Sequence, residues 1–151
     1  MRLAVAEGDA GRVPPQLQAE RLTELGQFLQ AEQRHAEAIA PYRKALEMRE
    51  NELGPQAADL APFLEDLASA LEGAGRSAEG EPHRRRAVAL LEGALGPRSK
   101  PLGAALERLA LALCALGKFE EAEPPYKRAT EILKEPSTEA AYAALLRRLG
   151  R

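Results

Sequence analysis

The feature that most constrains the fold is an internal period. Leu22, Leu64 and Leu106 lie 42 residues apart, as do Leu25, Leu67, Leu109 and Leu29, Leu71, Leu113. Within each unit these leucines fall at i, i+3 and i+7, one stripe of an α-helix. A unit of this size cannot cover its own apolar stripe, so successive units must stack and bury one another. The clearest unit is LERLALALCALGKFEEAEPPYKRA at 106–129, which reads as an apolar helix, a turn at Gly117 and a second helix rich in Ala and charge.

Other landmarks keep the same spacing. A small residue follows the second leucine each time, at Gly26, Ala68 and Ala110, which lets a neighbouring helix approach closely. The turn falls at Gln33, Gly75 and Gly117, so the first unit lacks the glycine that takes a left-handed conformation at little cost. The second helices carry small residues at Ala38, Gly80, Ala122 and at Ala45, Ala87, Ala129. Acids near their starts (Glu37, Glu79, Glu121) and basic pairs further on (Arg43-Lys44, Arg85-Arg86, Lys127-Arg128) complement the helix dipole. The linkers ELGP at 52–55 and ALGP at 94–97 stop the helices, since Gly caps and Pro cannot continue. Pro41, Pro82, Pro124 and Pro125 lie several residues into the second helices and remove backbone hydrogen bonds, so a kink or a late start near Glu37, Glu79 and Glu121 is expected.

These signals divide the chain into repeats at 16–57, 58–99 and 100–136, with a capping helix or partial fourth repeat at 137–151, all in one domain. Before them, 1–15 holds a short apolar patch, Leu3 to Ala6, then Gly8, Gly11, Pro14 and Pro15; it reads as a helix remnant or a frayed terminus. The third linker, KEPSTEA, is shorter, and Ser137 or Thr138 offers an N-cap for the last helix. In that helix LRRLG mirrors LTELG at 22–26, aligning Leu146, Leu149 and Gly150 with Leu22, Leu25 and Gly26. The second repeat departs most, with Gly80 and Arg84 where the others have Ala and Tyr (Ala38, Tyr42; Ala122, Tyr126), and looser packing is expected there.

Composition narrows the function. With few aromatics and no Trp, Leu and Ala must fill the core; β-branched residues are sparse and no stretch alternates with period two, so the fold class is all-α. A formal charge of −2, from 21 basic and 23 acidic residues, gives no footprint for nucleic acid. The single Cys excludes an internal disulfide and a Cys-based zinc site, and no apolar run is long enough to cross a bilayer. The start MRLAVAEGD turns acidic too early for a secretory signal, so a cytoplasmic protein without membrane partners is expected. His35 and His83 occupy unequal repeat positions with no paired ligand or nucleophile, Cys114 reads as a small packing residue, and no glycine loop cradles phosphate. No enzyme activity, metal or cofactor is expected. The run His83-Arg84-Arg85-Arg86 reads as part of a solvated outer face.

Taken together, the Leu-x-x-Leu-Gly/Ala stripes, Gly-Lys-Phe-Glu-Glu-Ala at 117–122, Glu-Pro-Pro-Tyr-Lys-Arg-Ala at 123–129 and the Leu-Gly-Pro linkers resemble a tetratricopeptide repeat (TPR) array of the long kinesin-light-chain variety. The resemblance covers 16–150. It implies a right-handed α-solenoid of three helix pairs plus a C-terminal capping helix, whose first helices line a groove for a peptide or a partner's helix. Carried onto this chain, the groove residues are Glu20, Thr23, Glu24, Gln27 and Gln30; Glu65, Asp66, Ser69 and Glu72; Glu107, Arg108, Leu111 and Cys114; and Arg147 and Arg148. The paired asparagines common in kinesin light chains are replaced by Thr23-Glu24, Glu65-Asp66 and Glu107-Arg108. The Lys, Asn and Arg set that clamps a C-terminal carboxylate is also missing, which weighs against acidic peptides and chaperone tails. The acidic-to-basic order along these positions instead suits a partner with a basic segment. A protein-interaction module is therefore expected, the alternatives being a structural segment of a larger TPR protein or a solenoid that self-associates through its ends.

Overall fold

A computed structural model describes residues 11–151, so the apolar patch Leu3 to Ala6 lies outside the described residues. Seven α-helices follow in this part of the chain: α1 (Pro15–Ala31), α2 (His35–Leu53), α3 (Ala61–Gly73), α4 (Ser77–Leu95), α5 (Lys100–Ala115), α6 (Phe119–Leu133) and α7 (Pro136–Arg148). A single 3-10 turn, Ala58–Leu60, leads into α3. The described residues contain no strand. Each helix packs on its predecessor and successor, with α1/α2, α3/α4 and α5/α6 as hairpin pairs, so the chain stacks as an α-solenoid.

The small residue on each first helix explains the pairing. A Cβ on Gly26 would lie 2.6 Å from the Tyr42 ring, so α1 and α2 meet only because it is absent. In the second pair the second helix carries the glycine as well: a Cβ on Gly80 would sit 3.1 Å from the Ala68 backbone carbonyl oxygen. Gly80 and Arg84 therefore mark close packing, and the expectation of a loose second repeat is corrected; Gly80 lets the backbones approach, and Arg84 is buried.

The turns share one geometry. Arg34, Arg76 and Lys118 donate their N–H groups to the carbonyls of Leu29, Leu71 and Leu113 at 2.8, 2.7 and 2.8 Å. The residue before each is left-handed: Gly75 at φ 79°, Gly117 at 75° and, without a glycine, Gln33 at 62°. After the turn the second helices begin at His35, Ser77 and Phe119 and run unbroken through Pro41, Pro82, Pro124 and Pro125. The prolines thus do not delay the start, because burial of each helix on two neighbours outweighs the lost hydrogen bonds.

Two expectations for the last helix also change. It starts with Pro136 at its first position after Glu135, without a side-chain cap, so Ser137 is not the N-cap, and Thr138 is buried inside the helix. Its register shifts too: Gly150 has φ 77° and Arg151 N–H donates to the Leu146 carbonyl at 2.8 Å, the turn seen at Gly75 and Gly117. Leu146 therefore stands where Leu29, Leu71 and Leu113 stand, and Gly150 matches the turn glycines rather than Gly26. The LxxLG pattern fits two places because leucines recur at helical spacing on both sides of the small residue.

The core falls into two clusters. The larger runs from Leu29, Ile39 and Tyr42 through Leu60, Leu64, Leu67 and Leu71 to Leu102, Leu106 and Ala129. The smaller joins Leu109, Leu113, Tyr126 and Leu145. Val88 packs against both. Leu64, Leu67, Leu71, Leu106, Leu109 and Leu113 are buried as the period requires, whereas Leu25 in the first helix is exposed.

Because Gln33 holds a backbone conformation that costs an L-residue about 1 kcal/mol, Gln33→Gly should raise stability by about that amount. The check is the urea midpoint; a lower one would show that the Gln33 side chain contributes more than its backbone costs.

Candidate peptide groove

The first helices α1, α3 and α5 lie side by side, and the groove wall is decided by a residue on a second helix. Arg84 of α4 occupies the position held by Tyr42 and Tyr126 in the other repeats and is only 6% exposed. Its guanidinium grips Glu72 with two parallel bonds, Nε to Oε1 at 2.7 Å and Nη2 to Oε2 at 2.8 Å, and pairs with Glu65 Oε2 through Nη1. Arg108 of α5 donates to the same Glu65 oxygen at 3.0 Å. Burial works against the charge on Arg84, but Glu72 and Glu65 together raise its pKa. Glu65 bears the desolvation: burial lifts its pKa above the ordinary carboxylate value although Arg108 and Arg84 pull it down. Its other oxygen, Oε1, is buried without a hydrogen-bond partner among the described residues. Beside it Asp66, also raised by burial and by the Glu65 charge, forms no ion pair within the described residues.

Two clefts open on this wall. One, of about 430 Å³, is lined by Pro62, Glu65, Asp66, Ser69, Arg84 and Arg108 between α3 and α5. The other, of about 410 Å³, is lined by Glu72, Ser77, Arg84, Arg108 and Leu111. The structure thus brings together Glu65, Asp66, Ser69, Glu72, Arg108 and Leu111 from the groove set. On α1, Gln30 joins this region by donating to Ser69 Oγ at 3.4 Å while accepting the Tyr42 hydroxyl at 2.6 Å. Burial holds that phenol protonated by pushing its pKa up to about 12. Glu20, Glu24 and Gln27 are exposed on α1 outside both clefts.

Several groove candidates are engaged internally. Thr23 donates its hydroxyl to the Ala19 carbonyl at 2.9 Å, and Glu107 accepts from the buried Thr138 hydroxyl of α7 at 2.8 Å. Arg148 lies over the Phe119 ring at 4.1 Å, binding α7 to α6, while Arg147 is exposed. Cys114 is half-buried, and burial raises its thiol pKa, as suits a packing residue. Arg84 was absent from the sequence-based set. Its signal was the substitution of Arg for Tyr at a 42-residue repeat position, facing Glu65 and Glu72 seven apart on α3.

This architecture has known counterparts. The family model described as tetratricopeptide repeat matches residues 18–79 and 59–135. The chain belongs to the tetratricopeptide repeat family. Its right-handed solenoid is similar to the crystal structure of BtubC (BKLC) from P. vanneervenii, with 18% identity and a TM-score of 0.83 over 99% of this chain and 63% of that one. The TPR array thus spans less than two thirds of BtubC. A Podosopora anserina structure of kinesin-light-chain type, with nearly identical TPR-like repeats, matches at 19% identity and a TM-score of 0.79, over 91% of this chain and 69% of that one. The first TPR of Spaghetti (RPAP3), bound to the HSP90 peptide SRMEEVD, matches at 24% identity and a TM-score of 0.68, covering 89% and 95% of the two chains. No curated protein sequence matches.

On the convex side of the TPR array the basic pairs are used between repeats. Arg86 reaches Glu50 at 3.2 Å, and Arg128 pairs with Glu92, the same pair one repeat of 42 residues later. Arg85 bridges Glu81 and Glu121 at 2.7 and 2.9 Å, and Lys118 joins Glu81 at 2.8 Å. Hydrogen bonds from Lys118 and then Arg85 hold Glu81 below the usual carboxylate range despite its burial. The run His83-Arg84-Arg85-Arg86 is therefore not a free basic face: Arg84 points inward, Arg85 and Arg86 are paired, and burial with the neighbouring Arg43 and Arg86 lowers the His83 pKa.

Truncating Arg84 would leave Glu65 buried without one of its two cations and Glu72 without its fork. Arg84→Ala should destabilise the fold by about 3 kcal/mol, the lower end for a broken buried pair because Glu72 is partly solvated. Denaturant unfolding measures it, and a loss under about 1 kcal/mol would place Arg84 among ordinary surface pairs.

Proposed function

We propose that this TPR array is a protein-interaction module whose groove takes a peptide or partner helix carrying a basic segment. The observation that carries the reading is the pair of raised carboxylates in the α3/α5 cleft, where Glu65 Oε1 lacks a partner and Asp66 lacks a cation among the described residues. Holding such groups unpaired costs free energy, about 1–3 kcal/mol for a buried acceptor. A lysine or arginine entering the cleft supplies a cation to Asp66 and adds positive charge beside Glu65. Glu20 and Glu24 on α1 extend the negative end, while Arg108 marks where the sign changes, so the basic segment lies toward α1 and α3. Leu111 offers an exposed apolar contact beyond it.

RPAP3 is a useful contrast. Its TPR holds SRMEEVD, an acidic peptide, whereas the cleft here presents its own acids. Charge selects the opposite ligand on a shared scaffold.

The test is an array of immobilised peptides, basic and acidic, probed with the wild type and with Asp66→Lys. Basic peptides are expected to be preferred, and Asp66→Lys should weaken them at least tenfold, about 1.4 kcal/mol. Equal capture of both peptide classes, or no effect of the reversal, defeats the reading.

The pH dependence has a defined sign. Asp66 has a folded-state pKa above its unfolded value, so its ionisation destabilises the fold as pH rises through that pKa. Asp66→Asn should therefore stabilise the free protein at neutral pH, with the gain vanishing in acid where both forms are neutral. Binding of a basic peptide should weaken on acidification at a pH above about 3.9, where an ordinary aspartate titrates. Melting curves and binding isotherms across pH measure the two effects.

A further inference from the structure

The face of α1 turned away from the other described helices carries Leu17, Arg21, Glu24, Leu25 and Phe28. In α3 and α5 the positions matching Leu25 and Phe28 are covered by the preceding second helix, and Leu67, Ala70, Leu109 and Ala112 are all buried. At the matching positions of α1, Leu25 is 46% and Phe28 57% exposed. The residue types differ as well. Ala70 and Ala112 admit a close helix, whereas Phe28 fills that space and would collide with a helix in the same register. This face is shaped for a different neighbour.

Its spacing indicates which. Leu17, Arg21, Glu24 and Phe28 are separated by four, three and four residues, the rhythm of a coiled-coil seam. Two α1 helices laid antiparallel, with the twofold axis passing between Leu22 and Thr23, set Leu17 of each copy against Phe28 of the other. The same axis sets each Arg21 against the other copy's Glu24. Arg21 and Glu24 are exposed and make no ion pair with any described residue. A parallel arrangement would instead place Arg21 on Arg21, so charge selects the antiparallel one.

We propose that α1 is a self-complementary docking helix through which a second copy of this chain pairs antiparallel, with two Leu–Phe contacts flanking two Arg–Glu pairs. The seam lies about a quarter-turn round α1 from Gln27 and further still from Gln30, so the groove remains open. Glu24 stands on the rim between the two surfaces.

Sedimentation velocity on the intact chain, from low to high micromolar concentration, tests this. The wild type is expected to form a dimer that weakens with salt. Arg21→Glu and Glu24→Arg should each be monomeric, with dimerisation weakened at least tenfold, because each opposes like charges across the axis. Mixing the two variants should restore a heterodimer, since every Glu then meets an Arg. Circular dichroism confirms that the variants fold, as expected for exposed positions. A wild type that stays monomeric, single variants that dimerise normally, or a mixture that stays monomeric overturns the proposal. Arg21 lies off the groove, so peptide capture by monomeric Arg21→Glu separates failure of this interface from failure of the groove.

Discussion

Everything in this solenoid depends on how closely the two helices of a pair can approach. Gly26, Ala68 and Ala110 hold that distance by presenting almost no side chain where the second helix crosses. The space beside the crossing is then filled by one long side chain from the second helix: Tyr42, Arg84 or Tyr126. That filler reaches through to the first-helix face, where Tyr42 bonds Gln30 and Arg84 bonds Glu65 and Glu72. The chemistry of the groove wall is therefore set from behind. Exchanging an aromatic for a cation at one repeat position changes which acids on the first helix are paired from behind and which are left unpaired.

The two faces of the array use charge differently. On the convex side, pairs such as Glu50–Arg86 and Glu92–Arg128 tie one repeat to the next and are partly solvated, so each contributes under about 1 kcal/mol. In the groove, Glu65 and Asp66 are more deeply placed and only partly compensated. The first arrangement fixes the stacking of repeats at little cost. The second sacrifices some stability at the cleft where the proposed basic partner would restore it.

The architecture was legible in the sequence because repetition shows the same physical requirement several times. Leucine stripes, small residues and turn glycines recur for reasons that act within one hairpin. What the sequence concealed depends on neighbours far along the chain. Thr23, Glu65 and Glu107 share one repeat position, yet the first bonds its own helix, the second meets α4 and α5, and the third meets α7. No local pattern separates those fates. The period groups Leu25 with the buried Leu67 and Leu109, yet Leu25 is exposed, because the period carries no information about which helix has a described neighbour on its outer side. Gln33 shows the converse, where two flanking helices impose a left-handed turn on a residue that would not choose it.

The two core clusters divide the molecule at a place the repeats do not. α5 contributes Leu102 and Leu106 to one cluster and Leu109 and Leu113 to the other, with Val88 touching both. The segment that repeats is thus not the segment that packs as one cluster. Fraying from the α7 end first uncovers the half of α5 after Leu106, while its opening turns stay clamped between α4 and the end of α6. Val88, which packs against both clusters, couples the two halves of that opening, so the boundary of local unfolding lies within a helix and not between repeats.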